Sequence, residues 1–135
     1  MRKSAAIRMA IAISVAPLQV AAAGKYDGSV PLLCVPIEIV ECEAAGRCVN
    51  GTAEGVNLPQ FIKVNLKEKL ISAAEEGGAT TPIKHFEHDN GRLIMHGGQG
   101  GRGWTVVISE DTGKMSAAIS EDQVGFVIFG ACTPL

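Results

Sequence analysis

The segment Ile83–His96 reads IKHFEHDNGRLIMH. Its centre is Asn90-Gly91, and Asn-Gly between two strand-like runs is the strongest short-range signal for a β-hairpin with a two-residue turn. The segment therefore predicts two antiparallel strands and is the starting point for an all-β interpretation of the chain.

The turn also predicts the register of the two strands. With two residues in the turn, His85 faces His96 and Glu87 faces Ile94, and these four side chains share one face. The opposite face is mostly apolar and is predicted to point inward; it carries Phe86, His88, Leu93 and Met95.

Further short strands follow the same pattern along the chain. Pro31 and Pro36 lie in the first of them, which marks it as an edge strand or an interrupted one. Regular spacing of about 8–12 residues with turns between predicts a sandwich or barrel, and consecutive hairpins favour a meander. The fold class is therefore all-β, a small antiparallel meander closed or nearly closed into a β-barrel. The predicted strands outside the hairpin are 30–42, 61–66, 104–108, 115–119 and 126–132.

Residues 67–76 are open to two interpretations. Their leucine, lysine, glutamate and alanine residues favour a helix. Ile62, Val64 and Leu66, however, alternate with polar residues just before them, which is typical of a half-buried strand. We favour two strands that turn near residues 67–69, and the helix stays open as the alternative.

Two glycine-containing stretches are predicted to be irregular. Residues 50–52 (Asn-Gly-Thr) and Leu58-Pro59 are typical of a connection without regular structure. Gly97–Gly103 is predicted to be a flexible loop, and its last six residues, Gly98–Gly103, match the G-x-G-x-x-G pattern. A dinucleotide site needs that pattern to open a helix, and here a strand follows, so we expect no such site.

The first 23 residues have the order of a secretory signal peptide. Arg2, Lys3 and Arg8 form a positive head, a short apolar run follows, and three alanines at 21–23 supply the cleavage pattern. The apolar run of about eight residues is shorter than the roughly 20 that a membrane span needs. We therefore predict residues 1–23 as a signal peptide and residues 24–135 as a single β-rich domain, located in the periplasm or secreted.

Charge excludes some partners. The whole chain carries a formal net charge of −2, with 12 Lys and Arg residues against 14 Asp and Glu. The signal segment holds three of the positive charges, so the remainder stands at −5. Nucleic acids and anionic membrane surfaces select clustered cations, so we expect neither as a partner.

The four cysteines predict a disulfide framework in an oxidising compartment. Cys42 and Cys48 flank a short segment whose Gly46 suits a tight reversal, so we expect them to pair. Cys34 is then left for Cys132, and that bridge ties the two ends of the domain together. The spacings do not match zinc-binding cysteine patterns.

A weak metal-binding hypothesis comes from the outer face of the hairpin. His85, Glu87 and His96 share that face, and two imidazoles with a carboxylate suit Zn²⁺ or Cu²⁺. The alternative is a solvated polar strand face on which the two histidines are opposed by chance.

A second weak hypothesis concerns Arg102 and Trp104. At the tip of the predicted loop they would contact an anion or a carbohydrate. The alternative is that the tryptophan belongs to the core.

Catalysis has little support in the sequence. Its serines lack a G-x-S-x-G context, and disulfide-bonded cysteines are inert as nucleophiles. We expect a protein that is not an enzyme and needs no cofactor.

The C-terminal segment GRGWTVVISEDTGKMSAAISEDQVGFVIFGACTPL resembles a group of short exported bacterial proteins of uncharacterised activity that end in a GRGW…GFVIFGAC pattern. The resemblance implies a periplasmic setting and no particular substrate. The predicted barrel is also similar in architecture to eight-stranded periplasmic lysozyme inhibitors, although their motif residues have no match here. The resemblance includes upstream signals at Leu33-Cys34, Glu41-Cys42, Cys48 and 57–59.

Three functions are compatible with these observations. The first is a non-enzymatic binding or inhibitor module that recognises another periplasmic protein through loops such as Gly97–Gly103. The second is a carrier of a small apolar ligand in the barrel interior, although inward side chains are expected to fill so small a barrel. The third is a hydrolase or a metal-dependent enzyme, or else a metal-binding protein without enzymatic activity. The sequence leaves the oligomeric state open.

Overall fold

The computed structural model describes residues 25–135, and every regular element in that range is a β-strand. The predicted signal segment, residues 1–23, lies outside the described residues. Within the described range no helix is long and apolar enough to cross a membrane. The nine strands are β1 (Leu32–Glu43), β2 (Cys48–Gly51), β3 (Ile62–Asn65), β4 (Leu70–Ala73), β5 (Thr80–Asp89), β6 (Arg92–Gln99), β7 (Arg102–Ser109), β8 (Lys114–Ser120) and β9 (Val124–Pro134).

Eight of the nine strands form a closed antiparallel barrel. The order runs β1-β3-β4-β5-β6-β7-β8-β9, and β9 pairs with β1 to close it. β2 is an additional strand that pairs only with β1. Closure gives each barrel strand two neighbours and so removes most unpaired edges. The predicted fold class is confirmed.

Strand β1 changes partner along its length. Its beginning pairs with β3, its end pairs with β2, and its other edge pairs with β9 throughout. The ladder with β9 contains an irregularity between Pro36 and Glu38. Proline has no N–H to donate, so it fits where the ladder is interrupted.

The central hairpin, β5–β6, has the predicted register. His85 faces His96, and Glu87 faces Ile94. Asn90 and Gly91 both have positive φ, 46° and 72°, as the tight two-residue turn requires.

The segment after β3 turns back as a second strand. β3 and β4 are adjacent antiparallel strands, and Lys69 has a φ of 52° in the turn between them. Val64, Leu66 and Ile71 are buried, because they face the barrel interior. The two-strand interpretation of residues 67–76 is confirmed, and the helical alternative is wrong.

The predicted loop Gly97–Gly103 is mostly strand. β6 continues to Gln99 and β7 begins at Arg102, so only Gly100 and Gly101 form the turn. Gly98 pairs with Gly103 in the backbone ladder. Glycine has no side chain to show the period-two pattern, so the sequence could not reveal these strand ends. The G-x-G-x-x-G match is thus a β-hairpin.

Part of the predicted connection at residues 50–52 is also strand. Asn50 and Gly51 belong to β2 and pair with β1 at Val40 and Ile39. Gly51 has no side chain that could show a strand pattern in the sequence. These residues form a strand because their backbone pairs with β1.

Both predicted disulfides are present. Cys34 and Cys132 are opposed across β1 and β9, and their sulfurs are bonded. Cys42 and Cys48 are opposed across β1 and β2 and close the short hairpin. No cysteine of the described chain is free. The two bonds indicate an oxidising, non-cytoplasmic location.

The end of the barrel at the Asn90-Gly91 turn, which we call the closed end, is packed. Residues 25–29 lie against it: the N–H of Tyr26 donates to the carbonyl oxygen of Glu110 at 3.0 Å, and the Tyr26 ring packs against the core. Gly28 lies so close to Leu66 and Leu93 that a side chain there would collide with them. The fully buried side chains are Leu32, Cys34, Val64, Leu93, Met95 and Ile108.

Candidate functional site

The opposite end of the barrel, which we call the open end, contains a cavity of about 610 Å³. This end is marked by the Gly100-Gly101 turn and by the end of β8. The volume lies within the range of about 300–1,000 Å³ typical of small-molecule sites. Strands β3 to β9 all contribute to the wall, and its aliphatic part includes Ile62, Val64, Ile71, Val106, Ile119 and Ile128.

The period-two alternation of the strands determines which side chains reach the cavity. Trp104 faces Ile119 across the β7–β8 ladder, and Val106 faces Ala117 one pair further in. The next pair inward is Ile108 and Met115. Their side chains are 0% and 5% exposed, respectively, and they form the floor of the cavity.

Small side chains explain why the open end is hollow. Ala73, Ala79, Gly100 and Ala117 line the cavity, whereas leucine and methionine fill the closed end. The expectation that inward side chains fill the whole barrel is therefore not met at the open end.

The mouth of the cavity carries an ion pair. Arg102 Nε and Glu121 Oε1 are in contact, with side chains 48% and 25% exposed. Both residues line the cavity, Arg102 at the start of β7 and Glu121 just after β8. The pair places one positive and one negative group at the edge of a space that is lined mostly by apolar side chains.

Trp104, the chain's only tryptophan, crosses the inner wall near this mouth. It starts on β7, and its Nε1 donates a hydrogen bond of 3.1 Å to Thr81 Oγ1 on β5. Between them lies β6, where a side chain at Gly97 would collide with the indole ring. The ring therefore spans three strands and forms part of the cavity wall.

Arg102 and Trp104, the residues of the second sequence-based hypothesis, both line the cavity. Neither belongs to a flexible loop tip, because both are in β7. Trp104 is partly buried against the core and also lines the cavity. The anion or carbohydrate contact stays a prediction.

The predicted metal ligands share the outer face but do not converge. The rings of His85 and His96 are stacked with centroids 6.1 Å apart, and His85 Nε2 lies 3.9 Å from Glu87 Oε2. His96 Nδ1 lies 3.1 Å from Thr105 Oγ1. Across residues 25–135, no group of three or more His, Cys, Asp or Glu residues is arranged to hold a metal ion. The zinc or copper site stays a prediction, without support from this geometry.

An acidic and a basic side chain meet at the closed end, which the sequence did not predict. His88 Nδ1 contacts Glu110 Oε1, and the Glu110 side chain is only 15% exposed. Nearby, the N–H of Ser29 donates to Asp27 Oδ1 at 2.9 Å. That hydrogen bond holds the pKa of the Asp27 carboxyl below its usual value. The Ser29–Asp27 hydrogen bond lies within residues 25–29, and the N–H of Tyr26 joins that segment to the barrel at the carbonyl oxygen of Glu110.

The fold and the cavity define a class, a small disulfide-tied antiparallel barrel that is packed at one end and hollow at the other. Comparison with known proteins finds no matching family model and no match among curated proteins or solved structures. The resemblance to short exported bacterial proteins therefore rests on the sequence pattern alone and stays a prediction.

Proposed function

We propose that this protein is a non-enzymatic binding module that holds one small, largely apolar molecule in the cavity at the open end. The observation that carries the proposal is the cavity of about 610 Å³ inside a closed barrel. Transfer of apolar ligand surface from water into such a space is favourable by roughly 25 cal/mol per Å², from which the entropic cost of association is subtracted.

The wall and the mouth support this function in different ways. Aliphatic side chains and one indole line the interior and favour apolar ligand surface. The Arg102–Glu121 pair at the mouth offers polar contacts that orient a ligand with one polar end. A few polar groups at the edge of an apolar site are the usual source of orientation.

The proposed location is the bacterial periplasm or the extracellular space. The signal-like order of residues 1–23 and the two disulfides support it. Such a compartment is suited to a protein that carries or captures an apolar molecule in water.

The cavity also favours one form of binding module over another. A protein inhibitor acting through a flexible Gly97–Gly103 loop has less support, because that segment is two paired strands with a two-residue turn. A small-molecule carrier needs no such loop.

A fluorescence titration with N-phenyl-1-naphthylamine tests the proposal. Trp104 lines the cavity and is the single tryptophan, so quenching of its emission reports binding directly. Ala117→Phe, which points a ring into the cavity, is expected to weaken binding at least about tenfold, or about 1.4 kcal/mol. Ala118→Phe, on the exposed outer face next in sequence, is the matched control and is expected to bind like the wild type.

Two results would overturn the proposal. One is an absence of saturable binding to the wild type. The other is undiminished binding to an Ala117→Phe variant whose circular dichroism shows an intact fold. Native mass spectrometry of the freshly purified protein complements the titration, because a retained ligand adds its mass to the polypeptide.

A further inference from the structure

We propose that Trp104 makes the cavity selective for ligands that contain a planar aromatic ring over ligands with a linear alkyl chain. This inference rests on the proposed ligand-binding function and adds the class of ligand. It names Trp104 as the residue that determines specificity and Gly97 and Thr81 as the residues that position it.

The first step concerns where the indole lies. Trp104 and Gly97 are opposed in the β7–β6 ladder, and both belong to inward-facing rows. A Cβ at Gly97 would overlap the Cε2 and Cζ2 atoms of the indole and would lie 2.7 Å from the carbonyl oxygen of Pro82. The absence of a side chain at Gly97 therefore creates the space that the ring occupies.

The second step concerns how the indole is held. Its Nε1 donates to Thr81 Oγ1 at 3.1 Å, on the far side of β6 from the tryptophan backbone. The ring is thus attached at both ends, by its own backbone on β7 and by this hydrogen bond on β5. A ring that is held before the ligand arrives loses little conformational freedom on binding.

The third step concerns what such a ring recognises. Trp104 lines the cavity together with Ile119, so the indole offers a ligand the ring surface that Gly97 does not cover. Aromatic rings interact in offset-stacked or edge-to-face arrangements, beyond the effect of buried area, and the gain corresponds to about two- to tenfold in affinity. A linear chain gains nothing comparable, and it also loses rotamer freedom when it is confined.

The fourth step concerns orientation. Arg102 lies two residues before Trp104 in the same inward row of β7, at the mouth. A polar substituent on a ring packed against Trp104 therefore points towards the Arg102–Glu121 pair and water.

The test compares 1-naphthol with 1-decanol by isothermal titration calorimetry. Both molecules have ten carbons and one hydroxyl group, and they differ in planarity. The two alcohols are hydrated differently, so their Kd values are not compared directly. The quantity measured is the selectivity ratio, which is the decanol Kd divided by the naphthol Kd. The ratio of each variant is compared with that of the wild type. Trp104→Leu is expected to lower this ratio about two- to tenfold.

Three further variants separate recognition by the ring from a loss of structure. Trp104→Phe keeps an aromatic ring and is expected to keep more of the selectivity than Trp104→Leu. Thr81→Val removes the hydrogen bond that holds the indole and is expected to lower the ratio while Trp104 is retained. Ile119→Val removes aliphatic wall opposite Trp104 and is the control, expected to weaken both alcohols to a similar degree.

The outcomes separate this inference from the function on which it rests. One outcome is that both alcohols bind and that the ratio is unchanged in folded Trp104→Leu and Thr81→Val. The proposed selectivity is then wrong, whereas the proposed binding function stands. If neither alcohol binds to the wild type, the proposed selectivity is wrong, and the binding function stands or falls with the N-phenyl-1-naphthylamine titration. A lower ratio in Ile119→Val, equal to that in Trp104→Leu, also overturns the role of the indole.

Discussion

At the open end, one close contact restricts which residue can occupy position 97. Gly97 faces Trp104 in the ladder, and the indole occupies the space that any larger side chain at position 97 would need. A glycine that is ordinary in the sequence is thus required by a ring that starts on the neighbouring strand.

Gly97→Ala is expected to destabilise the protein by about 1–3 kcal/mol, because the added methyl group overpacks the wall and displaces the indole. Gly103→Ala is the matched control: Gly103 lies in β7, a Cβ added there would meet no atom within 4 Å, and a change within about 0.5 kcal/mol is expected. Urea denaturation followed by circular dichroism measures both. If the two substitutions lowered the free energy of unfolding equally, the close contact between position 97 and the indole of Trp104 would be contradicted.

Asp27 is expected to make the free energy of unfolding vary with pH in the acidic range. The hydrogen bond from the N–H of Ser29 lowers the pKa of Asp27 in the folded protein below its ordinary value of 3.8. The contribution of the Asp27 carboxylate to the free energy of unfolding is therefore fully present above pH 3.8. It is lost as the pH falls through the pKa that Asp27 has in the folded protein.

Asp27→Asn tests this dependence. We expect the variant to be less stable than the wild type at pH 7, and the difference to shrink as the pH is lowered below about 4. Urea denaturation at a series of pH values between 7 and 3 measures it. A difference that stays constant over this range would show that the carboxylate charge is not the cause.

Among the elements, β1 organises the barrel. It pairs with β3 and then with β2 on one edge and with β9 along the other, and both disulfides start from it. Cys34–Cys132 joins the first and last barrel strands, which are 98 residues apart in sequence, whereas Cys42–Cys48 spans only 6.

Removal of the two disulfides is expected to have unequal effects. In the chain-entropy model, a bridge that closes about 100 residues contributes about 4.7 kcal/mol, and a bridge shorter than 15 residues contributes less than about 3 kcal/mol. The double variant Cys34→Ala/Cys132→Ala should therefore lose more stability than Cys42→Ala/Cys48→Ala. Guanidinium denaturation of both variants measures this, and a larger loss from the short bridge would contradict it.

The whole molecule is a barrel with two unlike ends. Residues 25–29 and large side chains close one end, and small side chains leave the other hollow. One end therefore provides stability and the other provides space for a ligand.

Ligand binding at the hollow end is expected to stabilise the whole fold. N-phenyl-1-naphthylamine at a hundredfold excess over its Kd should raise the free energy of unfolding by about 2.7 kcal/mol. The same concentration should add about 1.4 kcal/mol or less to Ala117→Phe, because its Kd is expected to rise at least about tenfold, and the full amount to Ala118→Phe. Thermal denaturation with and without the probe measures this, and equal stabilisation of the two variants would place the probe outside the cavity.

The sequence alone determined the features that depend on neighbouring residues. Asn90-Gly91 predicts the central hairpin and its register, because a two-residue turn permits only one pairing of the strands that flank it. Cysteine spacing around Gly46 predicts the short disulfide, and elimination then predicts the long one. Alternation at Ile62–Leu66 predicts a strand, since every second side chain faces the core.

Only the tertiary structure decided the features that depend on distant segments. The strand ends within Gly97–Gly103 and the short β2 exist because other strands supply their hydrogen bonds, and glycine gives no pattern that reveals them. The cavity depends on the summed volumes of side chains from seven strands, so no single alanine such as Ala117 indicates it. The position of Trp104 depends on Gly97 and Thr81, which lie on two other strands that only folding brings beneath its ring.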